Sequence, residues 1–329
     1  MHPSEVLFQG KRQPLLLPAC DHYCGSEKLM RKSMALQQEL GPVFDITFDC
    51  EDGAAAGNEA AHAQLVADLV NSEDNRHKRI GARLHDIDSP FFESDVTTIV
   101  GAAASNLAYV VLPKPNGVAD VRRALEIINR VAVPAGRAAL PVHVLIETHG
   151  ALREAWDIAA LPQVECLSFG IMDFVSSHYG AIPASAMRTP GQFSHPLVVR
   201  AKLEMVAACH AHGKVASHNV TTEIKDSAVV ANDAQRAGAE FGFTRMWSIH
   251  PDQIKPIIKA FTPRLSEVNE ATNILRLEMR FCGFQPTPQQ HHLLNLSAMK
   301  YHWTRQQHQR ITVVLVHLRI VGSGWLILN

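Results

Sequence analysis

Two carboxylates, Glu147 and Asp173, each follow an apolar run, PVHVLIE and VECLSFGIMD, and an acidic cluster of Asp49, Glu51 and Asp52 closes a third, VFDITFDCED. Carboxylates gathered at strand ends are hard oxygen donors. Mg²⁺ commonly takes one or two of them and keeps waters and substrate oxygens for its other positions. The same groups could instead cap the helices that follow or pair with Arg and Lys, and spacing alone leaves both readings open. Alternation along a strand sends Asp49 and Glu51 to one side and Cys50 and Asp52 to the other, so one pair could orient metal-bound water. The plain alternative is a solvated turn before Gly53.

Arg83 lies among apolar residues at the end of the run RIGARLHD, so its guanidinium needs a partner. That partner is either a carboxylate of the acidic run or the carboxylate of a ligand, clamped by two parallel hydrogen bonds. Lys114, closing YVVLPK, has the same two options: a strand-end carboxylate or an anionic substrate.

These residues need elements that bring them to one place. Eight short apolar runs recur along the chain: LLLPA (15–19), VFDITFDCED (43–52), RIGARLHD (79–86), YVVLPK (109–114), PVHVLIE (141–147), VECLSFGIMD (164–173), KVASHNV (214–220) and RMWSIHP (245–251). Near-continuous Val, Ile, Leu and Phe runs mark strands buried on both faces of a parallel sheet. Between them, EKLMRKSMALQQEL, VADVRRALEIINRV, HPLVVRAKLEMVAACHAHG and EIKDSAVVANDAQRAG carry apolar residues three and four apart, as covering helices do. Eight strand–helix pairs predict a (β/α)₈ barrel. Such barrels place their chemistry at the carboxyl ends of the strands. Those ends would supply Asp49, Glu51, Asp52, Arg83, His85, Lys114, Glu147, Asp173, Asn219 and His250.

The barrel is expected over residues 11–262. Residues 263–329 would form an appendage, a lid or oligomer contact that includes the helical segment SEVNEATNILRLEMRF. The final ITVVLVHLRIVGSGWLILN, broken by His317, Arg319 and glycines, suits a strand or packed tail better than a membrane span. Residues 1–10 contain EVLFQG, which resembles a protease site used to remove expression tags, and stand outside the fold argument.

With 31 Lys and Arg against 32 Asp and Glu, the 329-residue chain has no net basicity. That argues against nucleic acid or an anionic membrane as the main partner. Six scattered cysteines without a CxxC pair read as reduced thiols, and no long apolar leader is present, so a cytoplasmic enzyme is expected. His210, His212 and His218 fall near a helix end and no HExxH occurs. P-loop, GxGxxG and GxSxG motifs are absent as well, so zinc-protease, nucleotide and serine-hydrolase chemistry lack their parts.

Taken in order, FDCEDG, VVLPK, LIETHGALREAWDIA, LSFGIMDF and SIHPDQI resemble segments of the citrate lyase beta-subunit-like proteins of the HpcH/HpaI aldolase family, over residues 14 to 262. The resemblance implies a (β/α)₈ barrel, usually a homotrimer or hexamer. It also implies Mg²⁺ or Mn²⁺ held by Glu147 and Asp173, and a carbon–carbon lyase or aldolase acting next to a hydroxyl. By the same carry-over Arg83 holds and polarises the oxo-acid portion, and Glu51 and Asp52 hydrogen-bond metal waters. Glu51, Asp52 or a water they hold is the expected base, and Lys114 either pairs with a strand-end carboxylate or contacts substrate. Two departures bear on the substrate. Relatives that use coenzyme A carry basic residues after the acidic motif, where this chain has AAAGNEAAHAQ, and the first strand leads into PACDHYCGSEK instead of a VPG turn. The substrate is therefore a 3-hydroxyacyl compound, as a coenzyme A thioester, or a free hydroxy-oxo acid. A non-catalytic barrel within a larger complex is the contrasting reading.

Overall fold

The apolar runs become strands because, buried on both faces, they satisfy their backbone groups only by pairing with one another. The computed structural model describes residues 15–269. Eight parallel strands close in sequence order into a barrel: β1 (Cys20–Cys24), β2 (Phe44–Asp49), β3 (Ile80–Arg83), β4 (Val110–Leu112), β5 (Val142–Ile146), β6 (Val164–Phe169), β7 (Val215–His218) and β8 (Arg245–Ser248). Helices cross over between them, including Glu27–Leu40, Val118–Ala132, Pro196–Ala211 and Ser227–Phe241, on the segments that the apolar spacing predicts. One compact unit spans Pro18–Ala260. The predicted helix beginning near residue 266 is helical over 265–269, and the rest of that segment, the final tail and residues 1–14 lie outside the described residues. No helix among the described residues is long and apolar enough to cross a membrane.

The first strand differs from expectation. LLLPA does not form it; β1 is the next segment, CDHYC. Pro18 has no N–H to give a ladder. The polar residues of β1, moreover, are buried, and Asp21 finds its partners inside the barrel. Asp21 accepts hydrogen bonds from Thr47 Oγ1 at 2.7 Å and Tyr109 Oη at 2.9 Å, and lies 2.9 Å from Arg245. Arg245 also meets Asp45 at 2.6 Å, and Asp45 in turn meets Arg79 at 2.6 Å. This charged layer lies towards the amino ends of the strands. Buried ions persist there because each is paired and hydrogen-bonded. Gly81 makes room for it: a Cβ on Gly81 would stand 2.2 Å from the Tyr109 ring, which stacks on His143 with centroids 3.8 Å apart.

At the other end, the strands stop where polar residues begin, and the registers align those stops. Asp49 and Arg83, the last residues of β2 and β3, are direct partners, and β5 and β6 run paired to Ile146 and Phe169.

Candidate active site

Asp49 organises the acidic run. Arg83 donates to it twice, from Nε to Oδ1 at 2.7 Å and from Nη2 to Oδ2 at 2.5 Å, the bidentate form a planar guanidinium favours. The backbone then folds back on Asp49, whose carboxylate accepts the N–H groups of Glu51 at 3.0 Å and Gly53 at 2.9 Å. Only glycine fits at 53, because a Cβ there would lie 2.2 Å from Asp49 Oδ2. This turn brings Glu51 Oε2 to 2.8 Å from Arg83 Nη1. Of the two partners open to Arg83 from sequence, its own chain supplies one. Burial opposes the Arg83 charge, but Asp49 and Glu51 outweigh that cost and hold its pKa above the ordinary value.

Lys114 sits between Pro113 and Pro115 with φ +50°, a left-handed conformation rare for a side chain of this size. It ties two parts of the site together. Its N–H donates to Glu147 Oε1 at 2.8 Å, while Nζ lies 2.6 Å from Glu51, 2.8 Å from Asp52 and 3.8 Å from Asp173. Desolvation works against the ammonium, and the Asp52 and Glu51 contacts more than offset it, so its pKa is raised.

Glu147 follows β5 and is 2% exposed. Gly170, just after β6, lets it in: a Cβ at that position would stand 2.0 Å from Glu147 Oε2. Asp173 does not end the strand as its run suggests. It lies in the first turn of the short helix Ile171–Ser176 that follows, and its side chain is 40% exposed. Burial, then the charge of Asp173, pushes the Glu147 carboxyl up to about 8. Burial likewise raises Glu51.

The site thus gathers five carboxylates, Asp49, Glu51, Asp52, Glu147 and Asp173, against two cations, Arg83 and Lys114. Fully ionised, that set would carry an excess of three negative charges in a partly buried mouth, which calls for a cation; without one, Glu147 holds its proton up to about pH 8. Among the described residues no cluster of three or more His, Cys, Asp or Glu is placed to hold a metal. Two carboxylates and open space suit Mg²⁺, which keeps water and substrate oxygens, better than a closed zinc site. The open space is a cavity of about 500 Å³ at the strand ends, whose lining includes Glu147, Asp173, Arg83, Asp49 and Asp52.

Two other strand-end residues turn elsewhere: His85 Nδ1 is 2.7 Å from Asp95, and His250 Nδ1 accepts the N–H of Asp252 at the start of the next helix. Asn219 does line the cavity. Tyr23 and Trp247 line it too and went unnoticed in the sequence. Recognising CDHYC as a strand would have placed Tyr23 near its carboxyl end; nothing in the spacing marks Trp247.

Residues 31–251 match the model of the HpcH/HpaI aldolase/citrate lyase family. The chain belongs to that family. The L-malyl-CoA/beta-methylmalyl-CoA lyase of Cereibacter sphaeroides is 28% identical over 241 residues, 70% of this chain and 75% of the relative. A crystal structure of a citrate lyase from Burkholderia xenovorans LB400 is 52% identical with a TM-score of 0.80, covering 100% of this chain and 98% of that one. A citrate lyase beta subunit from M. tuberculosis, complexed with oxaloacetate and magnesium, shares the fold at 23% identity and a TM-score of 0.60, over 75% of this chain and 98% of that one. These HpcH/HpaI relatives are lyases, and the (β/α)₈ architecture expected from the resemblance is the one observed.

Proposed function

We propose that this protein is a Mg²⁺-dependent carbon–carbon lyase that cleaves or forms the bond next to the hydroxyl of a hydroxy acid, releasing or taking up a 2-oxo acid fragment. The observation that carries the reading is the convergence of Glu147 and Asp173 at one cavity with an uncompensated negative charge. Glu147 and Asp173 are the residues that would hold the ion. When bound, Mg²⁺ supplies Lewis-acid polarisation of the substrate's oxygens.

The chain's own residues do the rest. Arg83 has five N–H donors, gives two to Asp49 and turns a third to Glu51, so two remain to orient the substrate carboxylate and to stabilise charge on the leaving fragment. In cleavage, Glu51, or a water it shares with Asp52, takes the hydroxyl proton; the carbon–carbon bond breaks as a carbonyl forms, and the electron pair leaves on an enolate that is then protonated. Lys114, whose Nζ lies beside both Glu51 and Asp52, keeps them in place. Residues after 262 are proposed as a lid or a contact within a homo-oligomer.

A free acid is favoured over a coenzyme A thioester. Among the described residues lining the cavity, Arg83 is the one cation, and the segment after the acidic run, residues 54–62, has no Lys or Arg to meet phosphates. The test is turnover: wild type with Mg²⁺ is expected to release pyruvate from 4-hydroxy-2-oxo acids, and Asp173→Asn to lose at least 99% of that rate. Turnover that persists in chelator, or that requires the thioester, would contradict the proposal.

A further inference from the structure

Besides the carboxylates, the cavity is lined by residues of different character. Tyr23 and Trp247 stack with ring centroids 4.6 Å apart and planes at 15°, and the Arg83 guanidinium lies over the Tyr23 ring at 5.5 Å. Both rings are more than nine-tenths buried, yet Tyr23 Oη and Trp247 Nε1 have no hydrogen-bond partner. Asn219, 1% exposed, also lines the cavity. Its Nδ2 donates to Gln192 Oε1 and to the Val220 carbonyl, each at 2.9 Å, which leaves its Oδ1 without a partner. Gln192 is fixed in turn, donating to Asp233 at 2.8 Å and accepting from Lys202 at 3.4 Å. The Asn219 amide is therefore held with its oxygen free.

Buried polar atoms are almost always paired, and leaving one unpaired costs about 1–3 kcal/mol. Three orphans on residues that line one cavity, two of them able to donate and one an acceptor, mark a place for ligand oxygens. None of the three is charged, and burial holds the Tyr23 hydroxyl protonated by raising its pKa well above the usual phenol value. Charge decides which oxygens. Five carboxylates face two cations, so a divalent ion still leaves one negative charge in excess before substrate enters. The substrate's first carboxylate has the ion and Arg83. A second would enter a net-negative mouth with only neutral donors to meet it, at a cost that grows as water is excluded.

Resting on the metal and oxo-acid reading above, we propose that Tyr23, Trp247 and Asn219 are specificity residues. On the substrate arm beyond the reacting centre, Tyr23 and Trp247 donate to an uncharged oxygen, a ketone carbonyl or hydroxyl, and Asn219 Oδ1 accepts from a hydroxyl. The site accordingly selects monocarboxylic oxo or hydroxy acids and discriminates against dicarboxylic ones.

The experiment is calorimetric titration of the full-length protein in Mg²⁺ with three acids: pyruvate, which has no distal group; 2,4-dioxopentanoate, with a neutral one; and oxaloacetate, with a charged one. Heats of each acid with Mg²⁺ alone are subtracted. In wild type, 2,4-dioxopentanoate is expected to bind at least tenfold more tightly than oxaloacetate. Tyr23→Phe, which removes only the hydroxyl, and Trp247→Phe, which removes the N–H and keeps an aromatic ring, are expected to weaken 2,4-dioxopentanoate about tenfold and to leave pyruvate within twofold. Oxaloacetate binding as tightly as 2,4-dioxopentanoate, or variants that weaken all three acids alike or none, would overturn the inference while pyruvate binding keeps the metal and oxo-acid reading standing. Failure of pyruvate itself to bind wild type would remove that reading and the inference with it.

Discussion

Arg83 gives two N–H donors to Asp49 at 2.7 and 2.5 Å, and the rest of its fork faces Glu51 and the cavity. Lysine cannot reproduce that fork. Arg83→Lys should keep the charge and the fold while lowering kcat/KM about a hundredfold, about 2.7 kcal/mol of transition-state stabilisation; steady-state kinetics beside circular dichroism checks it, and an unchanged kcat/KM would contradict the role. Gly170 is the second sensitive position. A methyl group 2.0 Å from Glu147 Oε2 must displace the carboxylate. Gly170→Ala is expected to weaken Mg²⁺ binding more than tenfold with the far-ultraviolet spectrum unchanged, measured by titration; wild-type affinity would mean that Glu147 can move aside without consequence. At this scale the sequence was informative because the site residues are of types that cannot be buried unpaired, so a Glu, an Asp and an Arg ending apolar runs announce themselves. Tyr23 and Trp247 announced nothing, since CDHYC is too polar to read as a buried strand and a Trp within a strand run reads as core.

Elements explain why the remaining reading succeeded in part. Seven of the eight apolar runs contain the strands, and most are legible because parallel strands buried on both faces are rich in Val, Ile, Leu and Phe. β1 was not legible. Its Asp21 faces the barrel interior, where Arg245, Thr47 and Tyr109 meet it, its His22 is buried on the opposite face against Ser248, and no local pattern encodes partners that lie tens or hundreds of residues away. Asp173 was misplaced by a few residues for a related reason: the run continues through Phe169 and Gly170 into the helix without a polar break. The barrel interior also yields a stability prediction. Gly81→Ala would press on the Tyr109 ring, and overpacking of this kind costs about 1–3 kcal/mol. Urea unfolding should register that loss, and an unchanged midpoint would show that the ring is free to shift.

Across the whole molecule, buried neutral histidines tie stability to pH. Burial lowers His22 to about 4, and it lowers His143 and His218 as well. A group whose folded pKa lies below its unfolded value loses stability as pH falls, because the unfolded chain binds the proton first. For His22 the window runs from about 6.5 down to about 4, and the loss at pH 5 is about 2 kcal/mol. Glu147, raised to about 8 by burial and then by Asp173, acts in the opposite sense in metal-free protein: its contribution is present at low pH and lost as pH rises towards 8. The two are separated by a variant. His22→Gln should flatten the fall in unfolding free energy between pH 7 and 5 by about 2 kcal/mol relative to wild type; equal slopes would show that His22 titrates normally.

The central claim is that Glu147 and Asp173 form one divalent-cation site that a 2-oxo acid completes. The direct measurement is calorimetric titration of Mg²⁺ into wild type and into the Glu147→Gln/Asp173→Asn double variant, each with and without pyruvate. Saturable one-site binding to wild type, strengthened by pyruvate and abolished in the variant, is the predicted result. Absence of binding to wild type in either condition, or equal binding to the variant, would contradict it.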